Sequence, residues 1–272
     1  MNKTVLVTMI FLGSNILTNA QESISCDFSI TYATTYAQAK DEEKPNEDMM
    51  VLQVGPDGKS KFFSYWKEQN NILMDSLMAI YSDPVDAIKE SKKKGFPEGQ
   101  NYKVFKNLPD EGKLTYVESI FDDMYYTEPM QEINWQMEDG DTVIAEYTCQ
   151  KAMGEWRGRT WTAWFTMDIP VADGPWKLHG LPGLILKATD AENLFSFSCI
   201  GIKKESSSTF EFSTKEMEKT TPKKIKELTT LSVQEDIQEL LKSTMGIEIG
   251  EITGADGNPL KPKKVEVVFI EN

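Results

Sequence analysis

Apolar and polar residues alternate with period two through much of this chain. Residues 26–36 place Phe28, Ile30 and Tyr32 on one side of a predicted strand. Further strands are expected over 49–54 and 61–66, parted by the turn Gly55-Pro56-Asp57-Gly58, and over 103–107, 113–121 and 124–128. Residues 135–137 lead into an expected turn at Glu138-Asp139-Gly140-Asp141. A strand over 142–152 follows, and 160–167 answers it across 154–158. Strands over 184–189 and 194–203 flank the turn Asp190-Ala191-Glu192-Asn193, and 210–213 adds an edge. A last strand over 264–270 would turn Val265, Val267 and Phe269 inward.

Two regions switch to helical spacing. Ile72, Leu73, Leu77, Ile80 and Tyr81 predict an amphipathic helix over 71–81, and Asp83-Pro84 starts another that runs to Lys94. Together they form a helical insertion near 71–95. A longer helix is expected over 222–245, with Thr221 as N-cap, Pro222 behind it and Gly246 as its stop. Many strands with two or three helices predict an α+β fold: a mainly antiparallel, curved or barrel-like β-sheet with packed helices.

The stretch His179-Gly180-Leu181-Pro182-Gly183-Leu184-Ile185-Leu186 is a shaped turn feeding a buried strand. Pro182 fixes its own φ and pushes Leu181 to an extended conformation, while Gly180 and Gly183 permit a sharp turn or a close approach. The segment holds no evident catalytic group.

Residues 1–20 read as a secretory signal peptide. Lys3 precedes an apolar run over 5–12, and Ala20 offers a small residue at the cleavage point. The run is too short to span a membrane. Residues 21–272 then form a single β-rich domain, exported to the periplasm or beyond the cell and soluble after cleavage. A net charge of -14 repels phosphate backbones, which argues against nucleic acid as a partner. Export of a chain with cysteines at 26, 149 and 199 permits one disulfide and one remaining thiol. Strand phase places Cys26 with Phe28 and Ile30, Cys149 with Val143, Ala145 and Tyr147, and Cys199 with Phe195 and Phe197. Three buried thiols fit that phase equally well.

Four blocks occur in order: residues 147–152, 163–170, Gly174-Pro175-Trp176 and Gly180-Leu181-Pro182-Gly183-Leu184-Ile185. This series resembles the GLPGLI family of exported Bacteroidetes proteins, named for the last hexapeptide. The resemblance implies an exported β-rich protein and supplies neither a molecular function nor a catalytic residue set. The helical insertion departs from the family pattern.

Candidate chemistry is sparse. Trp156, Trp161, Trp164 and Trp176 gather around Arg157 and Arg159, the chain's two arginines. Tryptophan area with guanidinium forks suits a recognition surface. Alternation turns Trp161 inward and Trp164 outward on a threonine-rich face. The arginines fall on or beside a hairpin turn, where replacement would cost little stability. Trp164, Arg157, Arg159, Trp176 and His179 are therefore the candidate binding residues. His179 is the single histidine, which rules out multi-histidine zinc sites. No metal or other cofactor is expected, and Asp256-Gly257-Asn258 lacks the flanking ligands of a calcium loop. A hydrolase-like enzyme using acidic residues, or Cys149 as nucleophile with His179 as base and Asp168 orienting it, is the alternative. The leading expectation is a non-catalytic binding or accessory protein. Its partner would be an envelope protein, a peptide or a lipid, held on the concave sheet face or on the Trp/Arg hairpin.

Overall fold

The computed structural model describes residues 21–40, 42–250, 252–253 and 258–271. The expected signal peptide and most of the 256–258 turn lie outside the described residues. In chain order the elements are β1 (Glu22–Ser25), β2 (Phe28–Tyr36), β3 (Asn46–Val54) and β4 (Ser60–Ser64), then α1 (Tyr65–Ile80) and α2 (Pro84–Lys94). Next come β5 (Tyr102–Lys106), β6 (Lys113–Ser119), β7 (Asp123–Pro129), β8 (Gln136–Ile144), β9 (Tyr147–Trp156) and β10 (Arg159–Thr166). The chain continues with β11 (Leu184–Asp190), β12 (Phe195–Lys204), β13 (Thr209–Phe212), β14 (Glu218–Lys219), α3 (Pro222–Val233) and α4 (Ile237–Met245).

Twelve strands form one sheet in the order β14-β7-β6-β5-β4-β3-β2-β12-β11-β10-β9-β8. All pairs are antiparallel except β14 with β7. The fold is thus α+β with a large, mainly antiparallel sheet. The sheet is open, with β14 and β8 as edges, so the barrel-like expectation is corrected to a curled sheet without closure. The 167–183 connection after β10 explains the curl. Its Trp176 packs on Trp161 of β10 with ring centroids 5.7 Å apart. Its Lys177 reaches the Tyr126 hydroxyl of β7 at 2.8 Å, five strands further round the sheet from β2. Both halves of the sheet therefore wrap one connection, and Ile30, Phe62, Leu184 and Ile185 share a single apolar cluster with it.

A second cluster lies on the opposite face of β5 and β6. The β1–β13 ribbon brings Ile24, Phe210 and Phe212 onto Phe105, Leu108 and Val117. Coverage on both faces is why residues Leu114 to Glu118 of β6 are buried without alternation.

Several sequence expectations shift. The strand predicted over 61–66 stops at Ser64, whose hydroxyl accepts from Lys67 N at 3.1 Å and starts α1 six residues early. The α1–α2 hairpin buries only Leu77 and Ala87 among its residues. The predicted 222–245 helix is two helices. Glu235 adopts φ 56 and Asp236 caps α4, so the chain reverses there. The 138–141 turn is an irregularity within β8, and the hairpin turn falls instead at Ala145 and Glu146, both left-handed with φ 49 and 71. Val143 thus leaves the face of Cys149 and is exposed. The predicted last strand is an extended segment with one bridge, Ala39 to Val267, and it is Val268 and Ile270 that pack against the core.

Candidate functional site

The Gly180–Ile185 motif is a structural device. An added Cβ at Gly183 would lie 2.0 Å from the Thr166 carbonyl oxygen, so only hydrogen fits where the connection returns to the sheet. Gly180 instead adopts φ +89 with open space around it. Leu181 is buried, and Leu184, Ile185 and Leu186 are fully buried at the start of β11. The motif so positions Asp173 to Lys177 inside the curl. There Lys106 of β5 binds the Asp173 carboxylate, the Gly174 carbonyl at 2.6 Å and the Leu178 carbonyl at 3.1 Å. Burial pushes the Lys106 pKa down and Asp173 offsets it.

The two arginines, expected on or beside a hairpin turn and replaceable at little cost, instead hold residues 269–271. Arg157 does sit in the β9–β10 turn, with φ 52 beside Gly158. Its guanidinium folds back to Glu128 at 2.9 Å and Glu271 at 2.8 Å. Lys177 binds the same two carboxylates, so two cations and two anions form one balanced cluster. Arg159 is buried. It donates to Asp190 at 2.8 Å, to the Phe269 carbonyl at 2.6 Å and to the Ile270 carbonyl at 3.2 Å. Both forks are consumed in anchoring residues 269–271.

That anchoring builds a wall. Between α3 and the 265–271 segment on one side, and the curled sheet on the other, lies a cavity of about 690 Å³. Its sheet side carries Tyr36 of β2, Tyr102 of β5, Tyr116 and Glu118 of β6, Tyr126 of β7 and Phe195 of β12. Its other wall carries Ile225 and Thr229 of α3 with Val267, Val268 and Ile270. The tyrosines form a stacked row, Tyr102 on Tyr116 at 5.6 Å and Tyr116 on Tyr126 at 5.3 Å, each pair 18° from parallel. Lys177 caps the row from inside, 5.0 and 5.1 Å from the Tyr116 and Tyr126 rings.

Two polar groups in this row lack complements. Glu118 Oε2 accepts from the Tyr116 hydroxyl at 2.8 Å, and no ion pair forms at the Glu118 carboxylate among the described residues. Burial pushes its pKa up to about 7. The Tyr102 hydroxyl is buried without a hydrogen bond of good geometry. Gln100 beside it directs its amide nitrogen to Met50 Sδ at 3.8 Å.

The residues singled out from sequence are not gathered at this cavity. Trp176 is fully buried, its indole N–H without an acceptor. His179 is buried, with Nδ1 2.8 Å from the Lys177 carbonyl oxygen and its ring edge-on to Trp156. Burial lowers its pKa. Trp164 is half-buried on the outer face between Lys151 and Lys187, its neighbours on β9 and β11. Cys149 is buried, and its thiol contacts the Tyr147 carbonyl at 3.5 Å. Burial raises the Cys149 pKa, and no hydrogen bond joins it to His179. The backbone N–H of Asp168 donates to Thr166 Oγ1 at 3.3 Å, and its carboxylate charge adds to the rise of the Cys149 pKa. All three cysteines are unpaired and buried. Sequence reasoning missed Tyr36, Tyr102, Tyr116, Tyr126 and Glu118. A faint signal exists, since tyrosines recur at inward positions of β5, β6 and β7.

A family model described as "Protein of unknown function (Porph_ging)" matches residues 153–187, which run from β9 through the 167–183 connection into β11. No curated protein matches the chain. Two solved structures titled as PNGF-II, in P21 and C2 space groups, resemble it at 15% and 17% identity with TM-scores of 0.48 and 0.47. The matches cover 75% of this chain, which spans 33% of the length of those structures.

Proposed function

We propose that this chain is an exported binding protein of the cell envelope that holds an apolar or peptidic ligand in the cavity between the curled sheet and the wall formed by α3 and residues 265–271. The cavity itself carries the reading. Its volume of about 690 Å³ lies within the range of small-molecule sites, and its lining is mixed, with tyrosines and aliphatic side chains beside polar groups such as Glu98, Gln100, Glu118 and Lys226. Its two walls are fixed independently, one by the sheet and one by the arginine and lysine anchors of the C-terminal segment. Residues 21–272 act as one domain in this reading, since one apolar cluster spans both halves of the sheet and α3. Export rests on the signal-like residues 1–20 and the GLPGLI resemblance. No helix among the described residues is long and apolar enough to cross a membrane.

Native mass spectrometry of protein purified from the cells that make it tests the reading. A mass above that of the polypeptide, released by mild activation with one-to-one stoichiometry, is the expected result. Bare polypeptide from freshly prepared envelope fractions contradicts it.

A further inference from the structure

We propose that the β5–β6 end of the cavity, where Glu118 and Tyr102 converge, binds the protonated primary amine of a ligand whose apolar body lies along Ile225 and Val268. The inference rests on the cavity being a binding site and names what that site selects.

Three observations carry it. Glu118 is 8% exposed, yet among the described residues its carboxylate has a single hydrogen-bond partner, the Tyr116 hydroxyl, and no cation pairs with it. Lys67, at the start of α1, acts on Glu118 through its charge, and no ion pair joins the two. Second, the Tyr102 hydroxyl, opposite Glu118 in the β5–β6 register, is buried without a well-formed hydrogen bond, and the Gln100 side chain is the polar group nearby. A buried carboxylate with a single hydrogen bond and a buried hydroxyl without a well-formed one are under-satisfied, and a donor-rich cation serves both at once. Third, the charges at this end have one sign. Asp48 and Glu118 act on Tyr102, while Asp48, Glu98 and Glu42 act on Tyr36. The Asp48 oxygens are used by Ser64, Met49 N and Gln100 N, which leaves Glu118 and the exposed Glu98 at the rim as carboxylates open to a ligand. At the other end Lys263 binds Glu235 and Lys226 donates to the Glu271 carbonyl, so the cations there are engaged. The cavity is polarised, and an ammonium head fits at Glu118 while a carboxylate head is repelled.

The test is calorimetric titration of the folded chain with decylamine, 1-decanol and decanoate, and with acetyl-Leu-Lys-amide against its ε-acetylated form. Decylamine is expected to bind about tenfold or more tightly than either ten-carbon control. Glu118→Gln should erase most of that advantage. Which amine probe binds more tightly separates a lipid-like ligand from a peptide. In the wild-type protein decylamine affinity should fall as pH drops through about 7, because Glu118 takes up a proton there. The charged and titratable groups facing it are Tyr116, Tyr102, Lys67 and Asp123, and burial pushes both tyrosines well above their usual range, so they keep their protons there. The pH readout needs no variant. Equal binding of all three ten-carbon compounds overturns the amine inference and leaves the cavity reading standing. Binding of none overturns both.

Discussion

Arg159 Nη1 lies 2.8 Å from Asp190 Oδ2, and both side chains are buried, at 4% and 1% exposure. The pair ties the start of β10 to the end of β11, and the same guanidinium holds the carbonyls of Phe269 and Ile270. Asp190 is further fixed by the Phe195 N–H at 2.8 Å, which orders the β11–β12 turn. Sequence alone makes Arg159 a dispensable turn residue. In the structure its removal leaves a buried carboxylate unpaired and two carbonyls without donors. Arg159→Ala should therefore cost about 3–5 kcal/mol in denaturant unfolding. A cost below about 1 kcal/mol would show that the C-terminal segment is not held this way.

The two motif glycines should respond differently. Gly183→Val places carbon against the Thr166 carbonyl at 2.0 Å, with backbone on the far side, so the strand entry must move. Gly180→Ala meets no atom within 4 Å and pays only for its φ of +89. The expected costs are more than about 3 kcal/mol for the first and roughly 1 kcal/mol for the second. Thermal melts of both variants decide it, and equal losses would contradict the steric account.

Glu118 should leave a signature in stability against pH. Its folded pKa of about 7 lies above the ordinary 4.5, chiefly through burial. The folded chain thus binds this proton more tightly than the unfolded one. The resulting stabilisation is full below about pH 4.5 and is lost as pH rises through about 7, on the order of 3 kcal/mol in all. The difference in unfolding free energy between wild type and Glu118→Gln should change by that amount across the window. A flat difference would mean that Glu118 is solvated in the folded state.

Local order was legible where it depends on neighbours in sequence. Alternation located most strands, Asp83-Pro84 and Thr221-Pro222 marked two helix starts, and the inward phase of Trp161, Ala163 and Phe165 is as expected, all fully buried. The β8–β9 turn was hidden because Ala145 and Glu146 lack turn chemistry, while Gly140-Asp141 has it and lies inside a strand. The candidate site was hidden for a different reason. Lys177 and Glu271 are 94 residues apart, and the tyrosines of β2, β5, β6 and β7 meet only through strand order. Periodicity reports which face a residue takes, and it is silent on which distant residues share that face. The tryptophan and arginine cluster stood out in composition because it builds the core and anchors the tail.

The central claim is that the cavity between the tyrosine row and α3 holds a ligand. Thr229 faces that space from α3, half-exposed, so Thr229→Trp fills it without disturbing the core. The direct measurement is fluorescence titration of both proteins with the neutral apolar probe N-phenyl-1-naphthylamine, with melting temperature as the control. The account predicts saturable one-to-one binding to the wild type and affinity weakened by about tenfold or more, ~1.4 kcal/mol, in a variant that melts normally. Equal binding by both proteins, or no saturable binding to the wild type, would contradict it.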